Sequence, residues 1–428
     1  MTAVPTERRE LSESVPHREP SALGRCIAAE SADFAEHYWD QRPLHSRAAD
    51  LPRDFTDLLS PDAVDELIAQ RGVRTPFIRM AKDGALLSRS CFTAPGGLGA
   101  EMPDQVDSAG VLTQFAAGAT VVLQGLHRLW PPIMEFSRGL VDDLGHPVQA
   151  NAYITPPSNR GFDPHYDTHD VFVLQVSGTK EWIVHAPVHD RPLPHQPWTT
   201  HRGAVASAAQ SEPFLHATLR PGDALYLPRG WIHSARAQGE TSIHLTIGVA
   251  PTTRYDVVQL LATVLGDDAA LRRALPLGIN QTDAAALADK ISEAVALTVK
   301  ALSDSSLLSD TVANAVGERF ISLTRPEPVR PLATLTAMTN LDEQTPVQRR
   351  HGLVVTEFAS DSAAVIKLAD REIAFPPQCA PALKAIIACD MVTARELPGL
   401  SVEDALVVLR RLLREGVVVA VSTAPIRE

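Results

Sequence analysis

The sequence predicts an α+β protein, and three observations carry that prediction. Up to about residue 250 the apolar residues fall in short strand-like runs punctuated by glycine and proline. Past residue 250 they recur at helical spacing, and beyond a proline-bearing linker the two patterns mix.

Taken in order, residues 1–25 are expected to be a disordered leader, because the first 20 are polar and charged and include Pro5, Pro16 and Pro20. Residues 26–250 are expected to form a strand-built domain. Asn151 and Tyr153 stand two apart and so share one strand face. The apolar run Val171-Phe172-Val173-Leu174 reads as a buried strand, and Lys180 to Val184 as the next, with Lys180, Trp182 and Val184 on one face. Pro221-Gly222 marks a turn, Asp223 to Leu227 alternates, and Pro228 and Gly230 punctuate again before His233 starts another strand.

Residues 251–325 are expected to form a helical bundle. Leu287, Ile291, Val295 and Leu302 trace one face, and Val257, Leu260, Leu261 and Val264 another. Arg325-Pro326-Glu327-Pro328-Val329-Arg330-Pro331 reads as a linker. In residues 332–428, Ala380 to Cys389 reads as a helix and Thr393 to Leu397 as a short one. Ser401 caps a longer helix bearing Leu406, Leu409, Leu412 and Leu413. Gly416 stops it before Val417 to Val421, and helices followed by a strand hairpin suggest a winged-helix-like module.

Composition narrows the function. At 428 residues the chain can bury a substantial core in two or three domains. Its 39 basic and 51 acidic residues, a net charge of -12, disfavour a general nucleic-acid binder and favour encounter with a basic partner. The last module is also electrically balanced, with six basic and six acidic residues from Cys379 to Glu428, so direct nucleic-acid binding is not expected there. Cys26, Cys91, Cys379 and Cys389 show no Cys-X-X-Cys spacing, which suggests neither a zinc site nor a disulfide framework and makes a reducing cytoplasm the simplest setting. No apolar run is long enough for a membrane span.

Three short segments converge on one chemistry. His165 and Asp167 flank Tyr166 at strand spacing, so both can reach one metal, and a second histidine from a distant strand, His233, completes a two-histidine, one-carboxylate set. Three ligands on one side leave three positions open, which suits non-haem ferrous iron and its reaction with O2. Lys180 places a cation in line with Trp182 and Val184, and a buried lysine needs an anionic partner. The distal carboxylate of 2-oxoglutarate supplies one, its 2-oxo acid end being free to chelate iron. His169, His185, His195, His201 and His216 lack this context and read as surface or loop histidines; His244, alternating with Ile243 and Leu245, either faces the same cavity or, as the favoured reading, is a core histidine.

The motifs Asn151-Ala152-Tyr153-Ile154-Thr155-Pro156-Pro157, Gly161-Phe162, His165-Tyr166-Asp167, Asp170-Val171-Phe172, Leu174-Gln175, Gly178 and Lys180-Glu181-Trp182 resemble those of the JmjC-type ribosomal oxygenases. Further likeness lies in His37-Tyr38-Trp39, Arg42-Pro43-Leu44, Gly118 to Leu123, and Pro221 to Gly230, so it runs from about residue 30 to about 250. The resemblance implies a double-stranded β-helix of the cupin type, with His165, Asp167 and His233 as iron ligands. It further implies Lys180 as the cosubstrate anchor, Asn151 as a cosubstrate neighbour, Tyr153 as a substrate contact, and a dimer made through the helical region. Where relatives often place a serine that helps hold the cosubstrate, this chain has Gly248, and Thr246 on the same face is the expected substitute.

The expected activity is therefore that of an Fe(II)- and 2-oxoglutarate-dependent dioxygenase hydroxylating a side chain of a protein or peptide, a ribosomal protein first among them. Within enzymes, hydroxylation of a peptide precursor or amino acid in a biosynthetic pathway, or N-demethylation, uses the same site. Outside enzymes the alternative is a non-catalytic dimeric binding protein.

Overall fold

The computed structural model describes residues 21–421 apart from 83, 100, 158, 160, 161, 305, 306, 360, 361 and 390. Residues 1–20 of the expected leader lie outside the described residues. Residues 21–25 do not belong to a leader: Leu23–Arg25 form a 3-10 turn, Leu23 is in the core, and the buried Arg25 guanidinium donates twice to Asp57.

The chain opens with α1 (Ser31–His37), β1 (Leu44–Ser46) and α2 (Pro61–Ala69), then β2 (Ile78–Lys82) and β3 (Ala85–Leu86). A small hairpin, β4 (Thr93–Ala94) with β5 (Gln105–Val106), leads to α3 (Ser108–Ala116), β6 (Thr120–Leu123), α4 (Leu126–Leu129) and α5 (Pro131–Leu144). Then come β7 (Val148–Thr155), β8 (Asp170–Ser177), β9 (Lys180–His185), α6 (Arg202–Ala208), β10 (Leu215–Leu219), β11 (Ala224–Leu227), β12 (Ile232–Ala237) and β13 (Ser242–Val249). Eight strands form one antiparallel sheet in the order β1-β11-β8-β13-β7-β6-β2-β3, and three form a second, β10-β9-β12.

The period of two sorts side chains between two cores. On β8, Phe172, Leu174 and Val176 pack against the helices, with Phe34 of α1, Leu67 of α2 and Phe136 of α5. Val171 and Val173 point the other way and meet Trp182, Val184, Leu219, Leu225 and Leu227 between the two sheets. With both faces covered, β8 carries the apolar run Val171–Leu174, and all four residues of β11 are buried. The turn Gly178-Thr179 carries the chain from the large sheet into the small one. Gly178 has φ +63°, and a Cβ there would lie 2.1 Å from the Thr241 carbonyl oxygen, so only glycine passes this corner. Gln175 seals it, its Nε2 donating to the Ser177 and Gly178 carbonyls and to Ser242 Oγ.

Past the barrel, α7 (Arg254–Leu265) starts on a Thr253–Asp256 capping box and packs on α9 (Leu307–Leu323). The intervening α8 (Ala284–Asp304) does not close a bundle, for Ile291, Val295, Val299 and Leu302 on one face remain exposed. The last module contains α10 (Pro331–Thr339), β14 (Val347–Arg349), a three-stranded sheet of β15 (Thr356–Ala359), β16 (Ala364–Lys367) and β17 (Glu372–Phe375), then α11 (Ala380–Ala388), α12 (Val402–Arg414) and β18 (Val418–Ala420). The Ser401 cap is present, its Oγ accepting from Asp404 N, and Gly416 ends the helix at φ +67°. Among the described residues no local hairpin follows: β18 pairs with β14, far earlier in the chain, because Val347 and Val418 complete the core of this module. No helix among the described residues is long and apolar enough to cross a membrane.

Candidate active site

The three expected ligands meet between the sheets. One ligand atom each from His165, Asp167 and His233 lies within 4.8 Å of the others. His233 stands at the second position of β12, as expected, but His165 and Asp167 are not on a regular strand. They lie in the extended segment before β8, tied down by main-chain bonds: His165 N to His233 O at 3.2 Å, His233 N to His165 O at 2.8 Å, and Gly230 N to Asp167 O at 3.0 Å. The backbone thus joins the ligand-bearing segments before any metal binds.

The imidazoles are oriented for coordination. His165 Nδ1 lies 2.7 Å from Asp163 O, and His233 Nδ1 lies 3.0 Å from Trp231 O. A carbonyl only accepts, so each Nδ1 carries the proton and each Nε2 presents its lone pair. Burial, and then the neighbouring His165, pushes the His233 imidazolium down to about 4, which keeps the ring neutral at physiological pH. Burial acts to raise Asp167, but His169, His233, His165 and Arg79 together outweigh it and hold the carboxyl below its usual range. Two imidazoles that turn Nε2 inward and an ionised carboxylate are a donor set suited to a divalent transition metal, so these residues fit ferrous iron.

Behind this centre lies a buried carboxylate that stands in the family-like motif but was assigned no role from sequence. Asp170 accepts from Arg229 N at 2.9 Å and from Tyr226 Oη at 3.3 Å, while the Arg229 guanidinium bridges Asp170 and Asp40. This network holds the Pro228–Gly230 turn from which His233 emerges. Replacing Asp170 with alanine leaves Arg229 and Tyr226 partly unsatisfied in a dry environment, and chemical denaturation should record a loss of about 3 kcal/mol.

Lys180 is 3 % exposed, and its Nζ donates to Thr155 Oγ1 at 3.0 Å. No carboxylate faces it among the described residues, and burial alone pushes its ammonium down to about 7. Trp182 beside it meets both His233, at 6.0 Å between rings, and His244, edge-on at 5.5 Å. His244 in turn stacks on Tyr153 at 5.1 Å and is held neutral by burial and then by Lys180. It is buried, and it also walls the passage between Lys180 and the candidate metal ligands, so both readings of this histidine hold together. His244 Nδ1 and Trp182 Nε1 are buried without a partner, so this passage combines a cation lacking its anion with unsatisfied polar atoms. A small dicarboxylate such as 2-oxoglutarate fits that chemistry.

Two expectations change. Thr246 is not the hydroxyl beside Lys180. The β7–β13 register pairs Thr246 with Asn151 and Ser242 with Thr155, so Thr246 lies four residues from Thr155, ~13 Å along the strand. Thr155 takes that place because it lies on the same β7 face as Asn151 and Tyr153, a relation readable from spacing once Lys180 is placed opposite. His169 is not an ordinary surface histidine either. A Cβ on Gly248 would meet His169 Cδ2 at 2.5 Å and Nε2 at 2.7 Å, so the imidazole occupies the volume a serine at 248 would need. Gly248→Ser should cost about 1–3 kcal/mol, and His169→Ala should recover most of it in a double-mutant cycle read by denaturation.

Asn151 accepts from Gly125 N at 3.0 Å, and Tyr153 lies on the same face. Arg79, which sequence reading also missed, joins them: Arg79 pairs with Val122, Val122 with Tyr153, and Tyr153 with His244, one row across four strands. Burial raises the Tyr153 hydroxyl, and the positive charge of Arg79 partly offsets it. No local pattern around Arg79 marks it, because its role depends on strand order.

Two antiparallel sheets hold a candidate His-X-Asp…His centre between them, and residues 131–257 match the family model described as JmjC domain. Over that region the chain is similar to curated ribosomal oxygenases. It is 35% identical over 146 residues to human ribosomal oxygenase 1, covering 34% of this chain and 22% of that protein. It is 25% identical over 379 residues to the bifunctional lysine-specific demethylase and histidyl-hydroxylase NO66 of Drosophila mojavensis, covering 83% of this chain and 41% of that one. The chain thus spans less than half the length of these curated relatives. The fold matches the Escherichia coli ribosomal oxygenase YcfD with a TM-score of 0.52 and 21% identity, covering 92% of this chain and 99% of YcfD. A YcfD structure in complex with cobalt and 2-oxoglutarate aligns with the same TM-score at 20% identity.

Proposed function

We propose that this chain is an Fe(II)- and 2-oxoglutarate-dependent oxygenase that hydroxylates a side chain of a protein or peptide, with ribosomal proteins the first substrates to examine. The observation that carries the reading is the pairing of a metal-ready His165, Asp167 and His233 set with the buried, anion-free Lys180. The names of the relatives, ribosomal oxygenase and histidyl-hydroxylase, point the same way.

His165 and His233 would hold iron through Nε2 and Asp167 through a carboxylate oxygen. Iron there supplies O2 activation coupled to oxidative decarboxylation of 2-oxoglutarate, so that one oxygen atom ends in succinate, the other in the substrate C–H bond, and CO2 leaves. Lys180 and Thr155 bind the distal carboxylate. Trp182, His244 and Tyr153 shape the passage and exclude water from it. Asn151, Tyr153 and Arg79 line the side toward which a substrate side chain is presented, and the fixed charge of Arg79 favours a neutral side chain over a cationic one.

Succinate formation in air from 2-oxoglutarate, with ferrous iron and ascorbate, tests this, followed by a search of ribosomal proteins for the mass of one added oxygen. A chain that binds neither metal nor 2-oxoglutarate would sink it.

The exposed stripe Ile291, Val295, Val299 and Leu302 on α8 supports a homodimer built on the helical region. Ile291→Glu with Val295→Glu should give a monomer by sedimentation. The final module, winged-helix-like in placing β18 after α11 and α12, is read as a protein-contact unit, since its charge is balanced. The four free cysteines suit a cytoplasmic setting.

A further inference from the structure

Two adjoining cavities lead away from the barrel. The first, about 400 Å³, opens beside Asn151, His169 and Gly248. The second, about 580 Å³, lies between α5 and the segment joining α9 to the last module. They share His127, Arg128, Val148 and Leu323 as walls, so they form one continuous trench that begins at the residues flanking the metal ligands.

The far compartment is strongly basic although the chain carries a net charge of -12. Arg128, Arg138, Arg325 and Arg349 line it, and no ion pair with a described residue engages any of them. Arg138 Nε is buried with no partner. Asp142 is the one carboxylate among the lining residues, and His351 already pairs with it. Burial, and then Arg128 and Arg325, push the His127 imidazolium down, and its Nδ1 accepts from Ala150 N at 3.0 Å. Unpaired guanidiniums focused in a cleft attract carboxylates, and the apolar walls of Met134, Val141, Phe320 and Leu353 accept aliphatic stems.

We propose that the trench is a substrate-docking exosite that takes an acidic segment of the polypeptide whose target residue enters the barrel. An extended chain rises ~3.3 Å per residue, so a segment leaving Tyr153 passes Gln149, at the near compartment, after about four residues and reaches the arginines beyond it. The length and continuity of the trench favour a peptide over a small free anion. This inference rests on the reading of the barrel as a polypeptide hydroxylase.

Calorimetric titration of the full chain tests it, with acetylated hexaglutamate amide as probe, hexalysine amide as control, and saturating 2-oxoglutarate to keep Lys180 occupied. Hexaglutamate should bind with one-to-one stoichiometry at low ionic strength, weaken as salt is added, and lose about tenfold in affinity in Arg138→Gln/Arg325→Gln, while hexalysine does not bind. Val354→Glu, at an exposed wall position, should produce the same loss without removing any buried group. Succinate formation without substrate should be unchanged in both variants, which separates failure of the exosite from failure of the oxygenase reading. Absence of hexaglutamate binding, or binding equal in the wild type and both variants, would overturn the proposal.

Discussion

With Lys180 replaced by methionine, 2-oxoglutarate affinity should fall about a hundredfold or more, roughly 3 kcal/mol, because the anion would lose the one cation that meets it in a dry passage. The same variant should melt at a higher temperature without ligand. In the wild type a lysine is held at 3 % exposure by a single hydroxyl, and methionine fills similar space without a charge to desolvate. Calorimetric titration and a melting curve together separate loss of the anchor from loss of the fold. Opposite signs are required, and a variant that is both destabilised and unable to bind would refute the anchor role.

The pH dependence of this step has a definite sign. Burial lowers Lys180 from its ordinary 10.5 to about 7, so between those values the unfolded chain holds a proton that the folded one has released. The cost of Lys180 to the unliganded fold therefore fades as pH rises through that window and is fully present below about 7. Binding an anion restores the ammonium, so complex formation takes up about one proton at pH 8, and 2-oxoglutarate affinity should drop about tenfold from pH 6 to pH 8. Titrations in buffers of different ionisation enthalpy measure the proton directly.

Loss of a metal ligand is the second large effect. His233→Ala should weaken ferrous or cobaltous binding about a hundredfold or more and abolish succinate formation, and His165→Ala should match it. The folded state should survive in both, since the tie between the two segments is made by main-chain atoms, His165 N to His233 O and the reverse. Metal content after dialysis, with far-ultraviolet circular dichroism as the control, reads the two consequences apart. Retention of metal by either variant would remove that histidine from the ligand set.

What the sequence determined alone is local. The identities and spacing of His165, Asp167 and His233, the strand face shared by Lys180 and Trp182, the Ser401 cap and the helical period past residue 250 are short-range relations, and the backbone geometry of strands and helices converts them directly into direction. The tertiary structure decided everything that depends on which strands become neighbours. Thr155 rather than Thr246 meets Lys180 because β7 and β13 pair in one register, and His169 fills the space above Gly248 because β8 and β13 lie side by side. Arg79 reaches Tyr153 only because β2, β6 and β7 are consecutive in the large sheet, and β18 finds β14 across an intervening three-stranded sheet. Pairing partners are selected by the burial of whole faces, a sum over many distant side chains. No motif of a few residues encodes that sum, so the candidate metal ligands could be proposed from the chain while most of the residues that hold and surround them could not.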